Sequence, residues 1–312
     1  MSIIRVVYYE LRRELRKRSL IALLILALMP IPAALLIRSL ISEKILEVIR
    51  THGPALGLEP SKLWAYVLGA AEPPPAISIV SLLGAASLVG FAWLAAILYG
   101  GDLIASDMRD KMIHYILVRP VRRSEYIAGK ILTVVAFMEA LFLVAGLMVY
   151  AASWIMFGPQ SGLHEAIVVS LAVGVGLLPL LLTSSAIGAA TRNPLLGILL
   201  GFAAYFVSAF IAAIIAIAFI GGLRIENIAR LTPIIYAATA ANPYTSYEML
   251  VKALYSIMEG EVGIAYWVAT PFGFRREYIP VWPLAGYAIA SLAISTVVLA
   301  ILNWLLVARR DL

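Results

Sequence analysis

Cysteine is absent from the 312 residues, so disulfides, thiolate metal sites and cysteine nucleophiles are excluded. Histidine is scarce: His52, His114 and His164 stand far apart, without carboxylates at ligand spacing. A dedicated zinc or copper site built from this chain alone is not expected. Above all, charge is scarce. Only 13% of residues are charged and 62% are hydrophobic, against roughly 25% and 45–50% in an ordinary soluble domain. A soluble fold would have nowhere to put that apolar surface. A Gly-x-x-x-x-Gly-Lys-Ser/Thr phosphate loop is also missing. Gly129-Lys130 is followed by Ile131, and Ser124 stands where the earlier glycine belongs. ATP hydrolysis by that chemistry is therefore not expected of this chain. An intramembrane enzyme would need paired carboxylates, a histidine cluster or a nucleophile with its base at membrane depth, and the sequence supplies none.

What the chain does have is long apolar runs. A transmembrane helix needs about 20 mostly apolar residues to cross a hydrocarbon core about 30 Å thick. Six stretches qualify, at about 20–40, 77–100, 130–156, 166–187, 195–220 and 282–307. The sequence predicts an all-α integral membrane protein, with residues 1–18 as an amphipathic interfacial helix and 19–312 as a six-span domain. Pro30 and Pro32 are expected to kink the first span. With both termini inside, the inner segments hold 15 of the 24 Lys and Arg residues. The longer outer segments hold nine, balanced by ten acids. The positive-inside rule thus puts both ends in the cytoplasm of a multi-pass cell-membrane protein.

The outer loops, 41–76 and 221–281, read as small external caps. In the first, Ile41, Ile45 and Ile49 recur at helical spacing, a second short helix starts near Ser61, and Pro73, Pro74 and Pro75 stop the chain. In the second, Tyr247, Leu250, Val251, Leu254 and Ile257 form one apolar stripe. The run Gly263-Ile264-Ala265-Tyr266-Trp267-Val268 reads either as the start of a hairpin or as an interfacial aromatic segment. In the N-terminal helix, Ile3, Val7, Leu11 and Leu15 fall four apart, with Ile4 and Tyr8 beside them. Arg5, Arg12, Arg13 and Arg16 cover the rest, placing the helix in the inner interface with its arginines near lipid phosphates. It is either an anchor or an elbow that moves with span one.

The connection between spans two and three carries most information. Gly100 and Gly101 are expected to end span two, and a charged helix runs from Asp102 to about 117, with Ile104, Met108, Met112 and Ile116 on one side. Pro120 breaks it. Ser124 caps the next helix, with Glu125 at its positive end. Its charges are mixed in sign, where a topology signal needs only positive ones, which points to a docking surface for a protein partner. The run Asp107-Met108-Arg109-Asp110-Lys111-Met112, leading to Leu117-Val118-Arg119-Pro120-Val121-Arg122-Arg123-Ser124-Glu125-Tyr126-Ile127-Ala128-Gly129-Lys130, resembles the permease subunits of ABC-2 type exporters. So do the basic amphipathic start, the six spans, Asn242-Pro243 before the last span, and the ending Ala308-Arg309-Arg310-Asp311-Leu312. The larger first outer loop and the two prolines of span one depart from that pattern.

The resemblance implies that the 102–117 helix is a coupling helix seated in a cleft of an ATP-binding subunit. Asp102, Asp107, Arg109, Asp110, Arg119, Arg122 and Arg123 would transmit the force. It also implies a second permease copy, identical or related, and ATP and Mg on the partner ATPase, with no cofactor on this chain.

Within the spans, Glu139 stands near mid-membrane, where an ionised acid costs on the order of 2.5–3.5 kcal/mol. It is either a pathway group contacting substrate or protons, or interhelical glue bonded to Ser87, Thr183, Ser184, Ser185 or Asn303. Gly197 and Gly201 in span five are spaced for close helix contact, and Gly84 and Gly90 more loosely in span two. They mark either a dimer seam or internal packing. Pro179 is a candidate hinge in span four. Two rivals to the exporter reading remain. An ion-coupled secondary transporter would show inverted repeats, several intramembrane ionisable groups and broken helices in both halves. A non-transporting membrane scaffold would keep the topology without nucleotide-dependent flux.

Overall fold

The computed structural model describes residues 3–14, 25, 27–40, 47, 51, 59–71, 92–109, 123–219, 228–270 and 273–308. Among these, four helices are long and apolar enough to cross a membrane: Ser124–Phe157, Leu163–Thr191, Pro194–Ile211 and Val281–Val307. They correspond to the expected spans three to six. Spans one and two are described only in their later parts. The 41–45 helix start, Pro73–Pro75, Gly84, Ser87, Gly90, residues 110–122 and the terminal arginines lie outside the described residues.

In chain order the helices are α1 (Ile3–Glu14), α2 (Pro30–Leu40), α3 (Leu63–Val67, entered by a 3-10 turn at Pro60–Lys62), α4 (Ala92–Leu103) and α5 (Ala105–Arg109). They continue with α6 (Arg123–Phe157), α7 (Leu163–Gly176), α8 (Leu178–Thr191), α9 (Pro194–Phe219), α10 (Ile228–Ala241), α11 (Ser246–Met258) and α12 (Val281–Ala308). Strands β1 (Gly263–Thr270) and β2 (Gly273–Pro280) pair antiparallel, Gly263 opposite Pro280, as a hairpin before α12.

Span four is the axis of the bundle. In its most apolar 18-residue stretch 72% is buried inside the protein, against 17% in that of span five and 11% in that of span six. Its second half, α8, packs on α4, α9 and α12, and small residues allow the approach. A Cβ on Gly100 would lie 2.2 Å from the Leu181 carbonyl oxygen, and one on Gly101 2.6 Å from Ile198 Cγ1. These glycines therefore do not end span two; α4 runs through them to Leu103, because the contact needs them inside a helix. Gly197 and Gly201 serve the same seam from α9. Their Cβ positions fall 2.9 Å from Gly188 Cα and 2.1 Å from Ser184 Oγ, so the close contact they provide is within the chain.

Span four is broken near its middle. α7 stops at Gly176 and α8 restarts at Leu178 with Pro179 in its first turn. Pro179 has no N–H for the α-helical ladder. The junction tightens instead: the Leu177 N–H is shared between the Val173 and Gly174 carbonyls at 3.1 and 3.3 Å. At its far end, Arg192 adopts φ 56°, and only Arg192 and Asn193 separate α8 from α9.

The 221–281 connection, expected to be an external cap, packs against the spans in its described part. Its apolar stripe does not lie on the rim: Tyr247 packs on Gly176, halfway along span four, where a Cβ would meet Tyr247 Cβ at 2.3 Å. The end of α10 and the turn into α11, Ala241–Thr245, bond three spans. Asn242 Nδ2 donates to Ser208 Oγ of α9 (3.3 Å), the Tyr244 and Thr183 hydroxyls share a bond (3.1 Å), and Ser291 Oγ of α12 donates to the Ala241 carbonyl (2.9 Å). Ser291 is ten residues into α12, about 15 Å along its axis. So α10 and α11 form a re-entrant hairpin whose tip reaches the middle level of the spans. Irregular backbone is tolerated at such depth where protein or a wet cavity surrounds it.

The first outer loop is anchored by α3. Leu63, Trp64 and Ala65 are fully buried. Trp64 Nε1 donates to the Ser161 carbonyl (2.7 Å), and its ring meets Tyr255 edge-on. Gln160, the sole glutamine, accepts from the Leu63 N–H (3.1 Å) and donates to the Pro60 carbonyl (3.0 Å). Lys62 bridges Glu259 and Glu59. Gly176→Ala is expected to lower thermal stability in detergent by about 1–3 kcal/mol through overpacking. An unchanged melting temperature would mean that the hairpin does not seat on span four.

Candidate functional site: a buried charge cluster at the helix base

At the end of the bundle opposite α3, helices α1, α5 and α6 converge. Val6 of α1 sits over Gly129 of α6, where a Cβ would lie 2.6 Å from Val6 Cγ1. Thr133 Oγ1 donates to the Gly129 carbonyl (2.8 Å) and approaches that of Val7 (3.4 Å). The face of α1 turned to the protein is therefore Val6, Glu10 and Arg13, at helical spacing. Tyr8 and Leu11 remain exposed, on the side expected to meet lipid. Arg13 differs from its expected place among the lipid phosphates: it points inward.

What draws it inward is Asp107. This carboxylate is 2% exposed. One oxygen accepts from Arg13 Nη1 at 2.7 Å, and the other contacts Lys130 Nζ and the Tyr126 hydroxyl. Arg13 Nη2 pairs with Glu10 at 2.9 Å. Lys130, 1% exposed, also donates to the Leu103 carbonyl and lies over the Tyr126 ring. Two acids and two bases thus cancel inside one pocket. Burial pushes the Asp107 carboxyl up, but the Lys130 and Arg13 charges and the bonds from Lys130 and Tyr126 outweigh it, holding its pKa below the usual carboxylate value.

Asp107 therefore joins α1, α5 and α6 rather than presenting its carboxylate on a surface. Asp102 is half-buried and Arg109 exposed on the same segment, where Ser106 Oγ donates to the Asp102 carbonyl at 2.7 Å. Arg123 opens α6; Asp110, Arg119 and Arg122 lie outside the described residues. Glu10, Tyr126 and Lys130 were not among the residues expected to carry the site. The i,i+3 spacing of Glu10 and Arg13 was the available signal.

Glu139 lies apart, on α6 beside the break in span four. Both its oxygens are buried without a hydrogen-bond partner among the described residues, against Gly174, where a Cβ would lie 2.5 Å from Oε1. None of its expected described partners reaches it. Thr183 bonds Pro179 and Tyr244. Ser185 donates to Asn303 Oδ1 at 2.9 Å, and Asn303 Nδ2 donates to Leu182 and Leu299. Ser184 Oγ is itself without a partner.

Long apolar helices around a broken central span, with a neutral charge cluster at one end, define a multi-pass helical membrane protein. Residues 77–208, from span two into the second half of span five, match the family model described as ABC-2 family transporter protein. That match supports an ABC-2 type transporter permease. No curated protein and no solved structure matches the chain.

Removing one member of the cluster tests its cohesion. Asp107→Asn leaves buried Lys130 uncompensated and is expected to cost on the order of 3–5 kcal/mol, read as a lower unfolding midpoint in detergent. Asp107→Asn with Lys130→Met should recover most of it. Because the folded pKa of Asp107 is depressed, its contribution is full above the unfolded value of about 3.9 and is lost as pH falls through the lower folded value. The wild-type advantage over Asp107→Asn should hold from neutrality to about pH 4 and vanish only below it. An equal midpoint for Asp107→Asn and wild type would refute the cluster.

Proposed function

We propose that the chain is the membrane-spanning permease of an ABC exporter, with six spans, both termini cytoplasmic, in the cell membrane. A second permease copy completes the substrate path, and separate ATP-binding subunits carry ATP and Mg. The observation that carries this reading is the junction of α1, α5 and α6 through Asp107, which lies with Lys130 in the stretch that the family match covers. A partner seated on the 102–117 helix and the turn that follows it would make contact through Asp102, Arg109, Asp110, Arg119, Arg122 and Arg123. Asp107 would pass the movement inward, to the N-terminal helix by Arg13 and to span three by Lys130. The N-terminal helix is then a moving elbow and not only an anchor.

Affinity purification from native membranes, with ATPase assay of what accompanies the chain, tests the pairing. Arg119→Glu with Arg122→Glu is expected to cut the co-purified ATPase roughly tenfold, the effect of about 1.4 kcal/mol at the contact, while the chain remains folded. A chain that purifies without any ATPase favours the scaffold or the ion-coupled transporter.

We also assign Glu139 to the substrate path, because an unpartnered carboxyl beside a helix break is costly to keep without a use. Glu139→Gln should spare assembly and ATPase binding but lower nucleotide-dependent export. Unchanged export would return Glu139 to a packing role.

A further inference from the structure

At the end of the bundle opposite the Asp107 cluster, α3, the end of α11 and the β-hairpin meet around a small cavity of about 50 Å³. Tyr66 of α3, Tyr255 and Ser256 of α11, Ala265 of β1 and Arg276 of β2 form its walls. Ala70, Ala71 and Ala265 leave the room, since none of them extends beyond Cβ. At about 10–15 Å³ for each water, the space holds about four. Its occupant is therefore a small functional group on a short stem.

Charge and hydrogen bonding decide which group. Glu59, Glu259 and Glu261 line the cavity with Arg276 as the cation among them. Arg276 pairs with Glu261 at 3.5 Å, while Lys62, behind the lining, pairs with Glu59 at 3.2 Å and with Glu259. Three acids against these two bases leave one negative charge, and both bases are already engaged, which disfavours an anion. Burial raises the Glu261 carboxyl above its ordinary value, and Glu259 and Glu59 add to this beyond what Arg276 and Lys62 take back. No metal-holding set of acids and histidines exists among the described residues. Ser256 adds a second and independent signal. It lines the cavity although only 3% exposed, and its hydroxyl bonds no described residue. A buried hydroxyl left without a partner is costly. An ammonium, with three N–H donors and no acceptor, satisfies carboxylate and hydroxyl oxygens together.

We propose that this cavity binds a primary ammonium group on a short aliphatic stem, held by the Glu261 carboxylate and the Ser256 hydroxyl. The site uses none of the residues that carry the exporter reading and needs no ATPase, so the two fail separately.

The test is isothermal titration calorimetry of the full chain in phosphatidylcholine nanodiscs, with ethylammonium chloride at constant ionic strength. Wild type is expected to bind with a Kd of about 1 mM, within the ceiling for a ligand of three heavy atoms. Tetramethylammonium carries the charge without an N–H and should bind about tenfold more weakly or worse. Glu261→Gln, which keeps the shape, should weaken ethylammonium binding about tenfold and Ser256→Ala about threefold. Glu277→Gln, on β2 outside the lining, should match wild type. Ala265→Leu, which fills the cavity, should abolish binding and replaces Glu261→Gln if that variant does not fold. Binding lost in phosphatidylethanolamine nanodiscs identifies a lipid headgroup as the natural source, and binding kept there identifies a free amine; both support the site. Absence of heat from wild type up to about 20 mM, twentyfold above the expected Kd, overturns the proposal and leaves water in the cavity. Equal affinity of wild type and Glu261→Gln, or of the two ammonium ions, overturns it as well.

Discussion

A bilayer offers no water to a charged side chain, and the contact on which the rest of this structure depends answers that constraint locally. Asp107 and Lys130 are almost wholly enclosed, and Arg13 and Glu10 bring the sum of charge to zero. Burying an ion pair is not by itself a source of stability, since desolvation offsets most of the attraction. Its value lies in selecting one arrangement. The carboxylate has two oxygens, and each is taken by a cation from a different helix. A shift of α1 along α6 would leave one buried charge uncovered, so the N-terminal helix has a single seat.

Away from that pocket, approach distance replaces charge. Lipid is as apolar as leucine, so helices in a membrane gain little by merely hiding side chains from it; close packing and a few hydrogen bonds hold them. The seam of α4, α8 and α9 follows this rule. Gly100, Gly101, Gly188, Gly197 and Gly201 meet there, and polar side chains such as Ser185 and Asn303 tie α8 to α12. Span four, enclosed on most sides, can tolerate its interruption at Leu177 because its neighbours continue past it.

Much of this was legible from residue order. Apolar runs located spans three to six, because hydropathy and helix length are set by the same slab of hydrocarbon. The helix of span three starts at Arg123, next to the Ser124 start that its capping chemistry indicated. The break at Pro179 and the hairpin at Gly263 follow from local chemistry. The inward turn of Asp107 does not: its mixed charges read as a docking surface until α1 is laid across it. The depth of α11 was hidden for a similar reason. It lies in a connection that read as an external cap, while Tyr247 and Gly176, 71 residues apart, carry the contact that draws it down.

The turn at Arg192 and Asn193 has a mechanical consequence. Two residues cannot let α8 and α9 part at that end, so any relative movement of the two spans is a rotation about it, as in a pair of tongs. α9 extends 26 residues from the pivot, about 38 Å. A rotation of about 5° would displace its far end by about 3 Å while scarcely altering the glycine contacts near Gly197. Ser208, beyond the middle of that arm, holds Asn242, so the re-entrant tip would be carried along by leverage rather than by any change in its own fold.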